Sequence, residues 1–261
     1  MNAGEFFKLG RLHEAIEAQT QEVKSHPADH GKRLFLFELL AFAGELDRAQ
    51  RQIEVVRFDE VELEAATQAY RQLLDAERAR RRLFHEGTPP QSLAPPPEHI
   101  GLRLQALDCL RQNRPSEAAE LLAKPAVASH DIKGTLNGKP FDVLRDADDL
   151  FGSVLEVMSK GAYFWVPLEQ VESLSLNAPR FPRDLLWMPA HLTIRNGPDG
   201  DVFLPGLYPG SHEHPDQEIK LGRSTDWKNV ADGLVRGHGA RVFLAGDDAA
   251  PLLEWRELIV I

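Results

Sequence analysis

Gly10-Arg11-Leu12-His13-Glu14-Ala15 returns as Gly44-Glu45-Leu46-Asp47-Arg48-Ala49, with glycine, leucine and alanine each 34 positions further on. That spacing is the period of the tetratricopeptide helical hairpin. A blurred third copy stands at Asn113-Arg114-Pro115-Ser116-Glu117-Ala118. Glycine and asparagine tolerate the left-handed turn that joins two helices, and a small alanine five residues on lets the second helix approach the first closely. The tryptophan and tyrosine of the full consensus are missing. Repeats of this kind bind peptides or helices more often than they catalyse, so the echo points to an adaptor.

The same periodicity organises the first half. Leu12, Ala15, Ile16 and Val23 share one helical face, and Pro27 ends the run. Leu34-Phe35-Leu36-Phe37 is strand-like in isolation, but it continues into Leu39-Leu40-Ala41-Phe42 and falls in the first helix of a hairpin. Apolar nearly all round, that helix is expected at the centre of the array, with Phe37 and Ala49 in the core. A long polar helix is expected from about Glu60 to Phe84. Thr88-Pro89-Pro90 and Pro95-Pro96-Pro97 bracket a connector that can form neither helix nor central strand. Ile100, Leu104, Leu107 and Leu110 then resume helical spacing.

Beyond Pro125 the period changes. Phe151 to Met158 suggests one short helix, and strands dominate afterwards. Tyr163-Phe164-Trp165-Val166-Pro167 is aromatic and β-branched. Ala190, Leu192 and Ile194 alternate with His191, Thr193 and Arg195, and Asn196-Gly197-Pro198-Asp199-Gly200 supplies a turn before Val202-Phe203-Leu204. Arg241-Val242-Phe243-Leu244 and Leu258-Ile259-Val260-Ile261 add further strands. All 4 tryptophans lie in this half. The expected fold is α+β in two domains: a TPR-like all-helical domain over 1–127, and over 128–261 an α+β domain with a small, mostly antiparallel or barrel-like sheet.

With 43% hydrophobic and 27% charged residues the chain reads as globular. A net charge of −10 argues against general binding to nucleic acid or anionic membrane. The single Cys109 leaves no internal disulfide and fits a reducing compartment. No signal peptide or membrane-spanning run is visible. A cytoplasmic protein without membrane insertion is expected.

Several stretches carry a family resemblance. They are Arg33-Leu34-Phe35-Leu36-Phe37-Glu38-Leu39-Leu40 with Gly44-Glu45-Leu46-Asp47-Arg48-Ala49, Asp146-Ala147-Asp148, Gly161-Ala162-Tyr163-Phe164-Trp165-Val166-Pro167, and Arg183-Asp184-Leu185-Leu186-Trp187-Met188-Pro189-Ala190. Tyr208-Pro209-Gly210-Ser211 and Leu252-Leu253-Glu254-Trp255-Arg256-Glu257-Leu258 complete the set. In these the chain resembles the ImpE/SciE/TagJ family, accessory proteins of bacterial type VI secretion. The resemblance implies a non-catalytic, virulence-associated adaptor without cofactor. Its implied role is to bind the small subunit of the contractile sheath and help couple it to the ClpV disassembly ATPase, an AAA+ enzyme.

Chemistry-bearing alternatives are sparse. His212-Glu213-His214, with His191 or Asp216, offers donors to a metal, yet Pro209, Gly210 and Pro215 mark an exposed loop. Asp146-Ala147-Asp148-Asp149 before Gly152 suggests calcium, but the glycine comes too late and no glutamate closes the loop. Ser211 beside His212 lacks a nucleophile elbow, and Cys109 sits in an apolar helical pattern. Arg78-Ala79-Arg80-Arg81-Arg82 reads as a solvated helix end favoured by the dipole. No phosphate-binding loop occurs. The competing function is a hydrolase or metal-dependent enzyme with its site in the C-terminal domain. For the adaptor, Arg33 and Phe37 lie one turn apart on one helix, and Tyr70 and Arg71 on the next offer an opposite wall. That groove would receive the helical segment of the sheath subunit that the resemblance implies.

Overall fold

A computed structural model describes residues 1–58, 60–124, 127 and 132–261, with the side chains of 62 and 63 excepted. The expected boundary at 127/128 therefore abuts positions outside the described residues.

Helices α1 (Ala3–Lys8), α2 (Leu12–Ser25), α3 (His30–Phe42), α4 (Leu46–Ile53), α5 (Val61–Glu86), α6 (Glu98–Arg111) and α7 (Pro115–Leu122) fill the first half. The echo in the sequence is one turn built three times. Gly10 and Gly44 both have φ of 75°, and Asn113 has φ of 57°. At each, the left-handed residue donates its N–H to the carbonyl three back, and the next residue donates to the carbonyl five back. The pairs are Gly10 to Phe7 and Arg11 to Phe6, Gly44 to Ala41 and Glu45 to Leu40, and Asn113 to Leu110 and Arg114 to Cys109, all between 2.8 and 3.0 Å. This double bond closes the carbonyls that a helix end leaves without partners. The alanines five residues on, Ala15, Ala49 and Ala118, are each 0% exposed. α3 buries Leu36 through Phe42 without a break, as expected of a central helix.

All strands among the described residues lie in the second half. Eight pair in the order β2-β1-β13-β6-β7-β8-β4-β5, where β1 is Gly134–Leu136, β2 Lys139–Phe141, β4 Val154–Ser159, β5 Ala162–Pro167, β6 Val171–Leu176, β7 Trp187–Ile194, β8 Asp199–Pro205 and β13 Glu257–Val260. Every pairing is antiparallel. A second sheet joins β3 (Leu144–Asp146), β11 (Val242–Ala245) and β12 (Asp248–Pro251), while β9 (Thr225–Ala231) and β10 (Leu234–Gly239) form a separate ribbon. Two short helices, α8 (Pro182–Leu186) and α9 (Gln217–Lys220), lie between strands. The α+β class is as expected, and the main sheet is larger than the sequence suggested.

One expectation is corrected. Residues 154–158 are strand β4, not helix. Val154, Glu156 and Met158 face α5, whereas Leu155 and Val157 join the core under the second sheet. A strand covered on both faces loses the alternation that identifies strands. The first of the two cores runs without interruption from α2, α3 and α5 to Trp165, Trp187 and Tyr208. The second is sealed by Phe243 against Trp255, centroids 4.6 Å apart.

Candidate functional site

Where α5 crosses the β4–β5 hairpin, a charge network is shut inside the molecule. Arg80 lies on the inward face of α5, and its Nε and Nη2 grip both oxygens of Glu156 on β4 at 2.7 and 2.8 Å. Nη2 also donates to the Leu207 carbonyl at 2.8 Å. Tyr163 on β5 donates its hydroxyl to Glu156 and accepts from Trp165 Nε1 at 2.6 Å. Arg241 bridges Glu156 and Asp146, reaching Asp146 Oδ2 at 2.8 Å. Its guanidinium is flanked by the rings of Phe151 and Tyr208, 4.4 and 4.9 Å from their centroids. The Tyr208 hydroxyl sits 2.7 Å from Asp146 Oδ1. Two residues on, Asp148 accepts from Arg236 Nε at 2.8 Å and from the Gly237 and Leu150 amides at 3.0 Å.

Three arginines thus face three carboxylates, which is what allows the charges to leave water. Burial pushes the Asp146 carboxyl up to about 7, against the pull of Arg241. Burial likewise lowers Arg241 to about 10. Arg80, Glu156, Asp146, Asp148 and Arg241 are each at most 5% exposed. What such groups do is hold α5, the sheet and the 206–211 loop in one register.

A second seam joins α3 to α8. Glu38 pairs with Arg183, whose guanidinium lies over Tyr70 at 4.6 Å and over the exposed Phe181 at 4.0 Å. Asp184 caps α8 by accepting from the Arg180 and Phe181 amides at 2.8 and 3.0 Å. A third seam meets the repeat turns themselves. Arg223 donates to the Lys8 carbonyl at 3.1 Å and to that of Phe7 at 2.5 Å, closing the end of α1. His212 packs on Gly44, and Arg81 binds the Gly44 carbonyl at 2.8 Å.

The ImpE protein family model matches residues 138–259 of the chain. Over 259 residues, 99% of this chain and 90% of the relative, it is 39% identical to the type VI secretion system accessory component TagJ of Pseudomonas aeruginosa. The chain belongs to the ImpE family. Its fold matches the crystal structure of the Vibrio parahaemolyticus protein VPA1032, with 25% identity, a TM-score of 0.89, and coverage of 99% of this chain and 97% of that one.

The stretches that carry the ImpE resemblance supply the seams. Asp146, Asp148, Tyr163, Trp165 and Tyr208 belong to the charge network, and Glu38, Arg183 and Trp187 to the α3–α8 seam. The sequence expectation for Arg80 is corrected. Its basic run reads as a solvated helix end, but the structure buries Arg80 and leaves Arg82 exposed. The only available signal was that α5 turns an arginine toward the side that also carries Leu73, Ala76 and Leu83.

Of the four residues singled out for binding, Arg33 and Arg71 meet at the C-terminal end of α4. Arg33 binds Gln52 at 3.1 Å and the Pro27 carbonyl at 2.8 Å. Arg71 reaches the Val56 carbonyl at 2.9 Å and Glu64 at 3.2 Å. Phe37 and Tyr70 touch, with centroids 6.2 Å apart. Phe37 is 0% exposed and stacks on Trp187 at 6.1 Å, so it is a core side chain and does not line an open groove.

The other candidates are scattered. His191 pairs with Asp201 and Asp199 on the sheet surface, at 2.8 and 3.1 Å. Its imidazole is held above the usual range, first by Asp201. His214 faces Asp226 at 3.3 Å. His212 is driven down to about 4 by burial and then by Arg81 and Arg80. Among the described residues no three His, Cys, Asp or Glu side chains gather as a metal site requires. The Ser211 hydroxyl donates to the Tyr208 carbonyl at 2.6 Å and accepts from Gly239 at 2.7 Å. Cys109 is buried. Among the described residues no helix is long and apolar enough to cross a membrane.

Proposed function

We propose that this ImpE-family chain is a non-enzymatic accessory component of a bacterial type VI secretion system, working in the cytoplasm as an adaptor without a cofactor. It binds a helical segment of the small contractile-sheath subunit and helps couple the sheath to a ClpV-type AAA+ ATPase. The observation that carries this reading is the 39% identity to TagJ along 99% of the chain. Two features support it. The buried ionisable groups at the α5–sheet crossing are engaged with one another, and the helical half leaves open, polar surface on its outer helices.

In this reading residues 1–127 are a TPR-like domain and contact the partner, while 128–261 form the domain that braces it. The partner-facing edge is the C-terminal end of α4, where Arg33 and Arg71 are partly exposed, with partly exposed Tyr70 next to Arg71 on α5 and under Arg183. Arginine and tyrosine in such a position are favoured as binding anchors.

The test is titration of a labelled N-terminal peptide of the small sheath subunit against the protein and its Arg33→Glu, Arg71→Glu double variant. Circular dichroism verifies that both are folded. Weaker binding by the variant is expected. Equal affinities would move the site off this edge, and no binding by either would remove the sheath subunit as partner.

A further inference from the structure

The β9–β10 ribbon pairs with neither sheet, and its two sides are finished differently. On the β10 side the outward main-chain groups are taken up. Val235 donates its amide to Asp149 Oδ2 at 2.7 Å and accepts from the Asp149 amide at 3.0 Å. Gly237 donates to Asp148 Oδ2 at 3.0 Å, and Gly239 to Ser211 Oγ at 2.7 Å. Successive strand residues turn their N–H and C=O to opposite sides. Arg236 and His238 therefore turn theirs toward β9, onto Lys228 and Asp226, their partners in register. The main-chain groups of Thr225, Trp227 and Asn229 are left pointing away from β10, and among the described residues nothing bonds them.

This edge is open where others are blunted. The outer edge of β5 is covered by Gln91, which donates to the Tyr163 carbonyl at 2.9 Å and accepts from the Trp165 amide at 3.2 Å. The outer strand β2 carries Pro140, a residue that discourages further pairing. On β9, by contrast, Asp226, Trp227, Lys228 and Asn229 are all exposed, and only Val230 and Ala231 pack against the core. An uncovered edge is a template for another strand.

The charges on β9 say which strand. Trp227 lies on one face, edge-on to Tyr208 at 5.7 Å and still 40% exposed. Asp226 and Lys228 project from the other face. Lys228 stands directly opposite Arg236, a like charge, and has no ion-pair partner among the described residues. Asp226 meets only the His214 imidazole, at 3.3 Å. The order acid, tryptophan, base complements itself when a second copy of the strand runs antiparallel about Trp227. Sliding that copy by two residues would set Asp226 against Asp226, or Lys228 against Lys228, which is unfavourable.

We propose that the protein self-associates through this edge, β9 of one copy pairing antiparallel with β9 of a second about a two-fold axis at Trp227. The two tryptophans exchange main-chain hydrogen bonds, and Thr225 does so with Asn229 of the second copy on either side. Asp226 then faces Lys228 of the second copy at the intervening positions, where opposed side chains come closest. A strand edge is a small contact, so the dimer is weak and sensitive to salt. The pairing is independent of the Arg33–Arg71 edge, which lies in the helical half.

The test is sedimentation velocity of the full chain at rising protein concentration. A reversible monomer–dimer equilibrium that salt weakens is expected. Asp226→Lys and Lys228→Asp each place like charges face to face and weaken the dimer by about tenfold or more. Mixed in equal amounts, the two variants pair with each other, and the Asp226→Lys, Lys228→Asp double variant pairs with itself. Restored association in either case supports the proposal, because misfolding does not produce it. A chain that stays monomeric overturns the proposal, as does a dimer indifferent to both single variants. Restoration in neither the mixture nor the double variant overturns it equally.

Discussion

The imidazole of His212 stands where a side chain at residue 44 would have to go. A Cβ built on Gly44 would lie 2.6 Å from His212 Cγ and closer still to Cδ2. The turn glycine of the second hairpin thus meets two demands, a φ of 75° and contact with a ring delivered from the other half of the chain. Gly10 meets the first demand equally, but its nearest neighbour is the terminal carboxylate of Glu218, with Cδ at 3.0 Å, which pairs with Arg223 at 3.2 Å and can turn away about its own rotatable bonds.

Gly44→Ala is therefore expected to destabilise by about 2–4 kcal/mol, combining left-handed strain with overpacking. Gly10→Ala is expected to cost about 1 kcal/mol, from strain alone. Urea unfolding of both variants checks this. Equal losses would mean that His212 swings away freely and the contact does not fix the turn.

Two arginines of the basic run on α5, Arg80 and Arg82, should behave oppositely. Arg80→Ala leaves Glu156 buried with one cationic partner fewer and removes the donor to the Leu207 carbonyl. A loss of roughly 3–5 kcal/mol is expected. Arg82→Ala, at an exposed position, should stay within about 0.5 kcal/mol. Thermal denaturation separates the two readily. A small effect at Arg80 would show that the network is not what joins α5 to the sheet.

That contrast marks the limit of what the sequence discloses. Gly10, Gly44 and Asn113 were legible because a turn is local: six residues determine the two hydrogen bonds that close it. Tyr163 to Pro167 was legible for the same reason, through β-branched and aromatic residues between turn signals. Arg80 was not, because its burial depends on Glu156, which is 76 residues away in sequence. Val154 to Met158 was misread as helix because cover on both faces erases the two-residue rhythm. The ImpE motifs were recognisable, but their joint role in seams needed the crossing of α5 over β4 and β5 to be seen.

Glu38 should make the stability of the α3–α8 seam depend on pH. Burial pushes its carboxyl up from 4.5 to about 7, against the pull of Arg183. The folded protein therefore holds this proton over a range where the unfolded chain has lost it. Stability from the neutral form is complete below the unfolded value and is lost as pH rises through about 7. Glu38→Gln keeps the neutral shape at every pH. Relative to the unaltered protein, the variant should gain stability between pH 5 and pH 8, on the order of 3 kcal/mol. Parallel denaturation curves at the two pH values, with no relative gain, would show that Glu38 stays ionised beside Arg183.

Limited proteolysis bears on the division into 1–127 and 128–261. Strand pairing between the two parts, among the described residues, is confined to a single bridge of Gln91 with Phe164. A cut near the junction should accordingly release a helical fragment by gel electrophoresis under denaturing conditions. In native buffer the two pieces should nevertheless elute together. Arg80 on Glu156, Phe37 on Trp187 and Arg223 on the carbonyls of α1 all cross the cut and bury charge or aromatic surface. Separating them would leave Glu156 and Phe37 exposed or unpaired, at a cost of several kcal/mol. Pieces that part on a sizing column without denaturant would show that the helical half folds and stands alone. Cleavage only at other sites would place the folding boundary elsewhere in the chain.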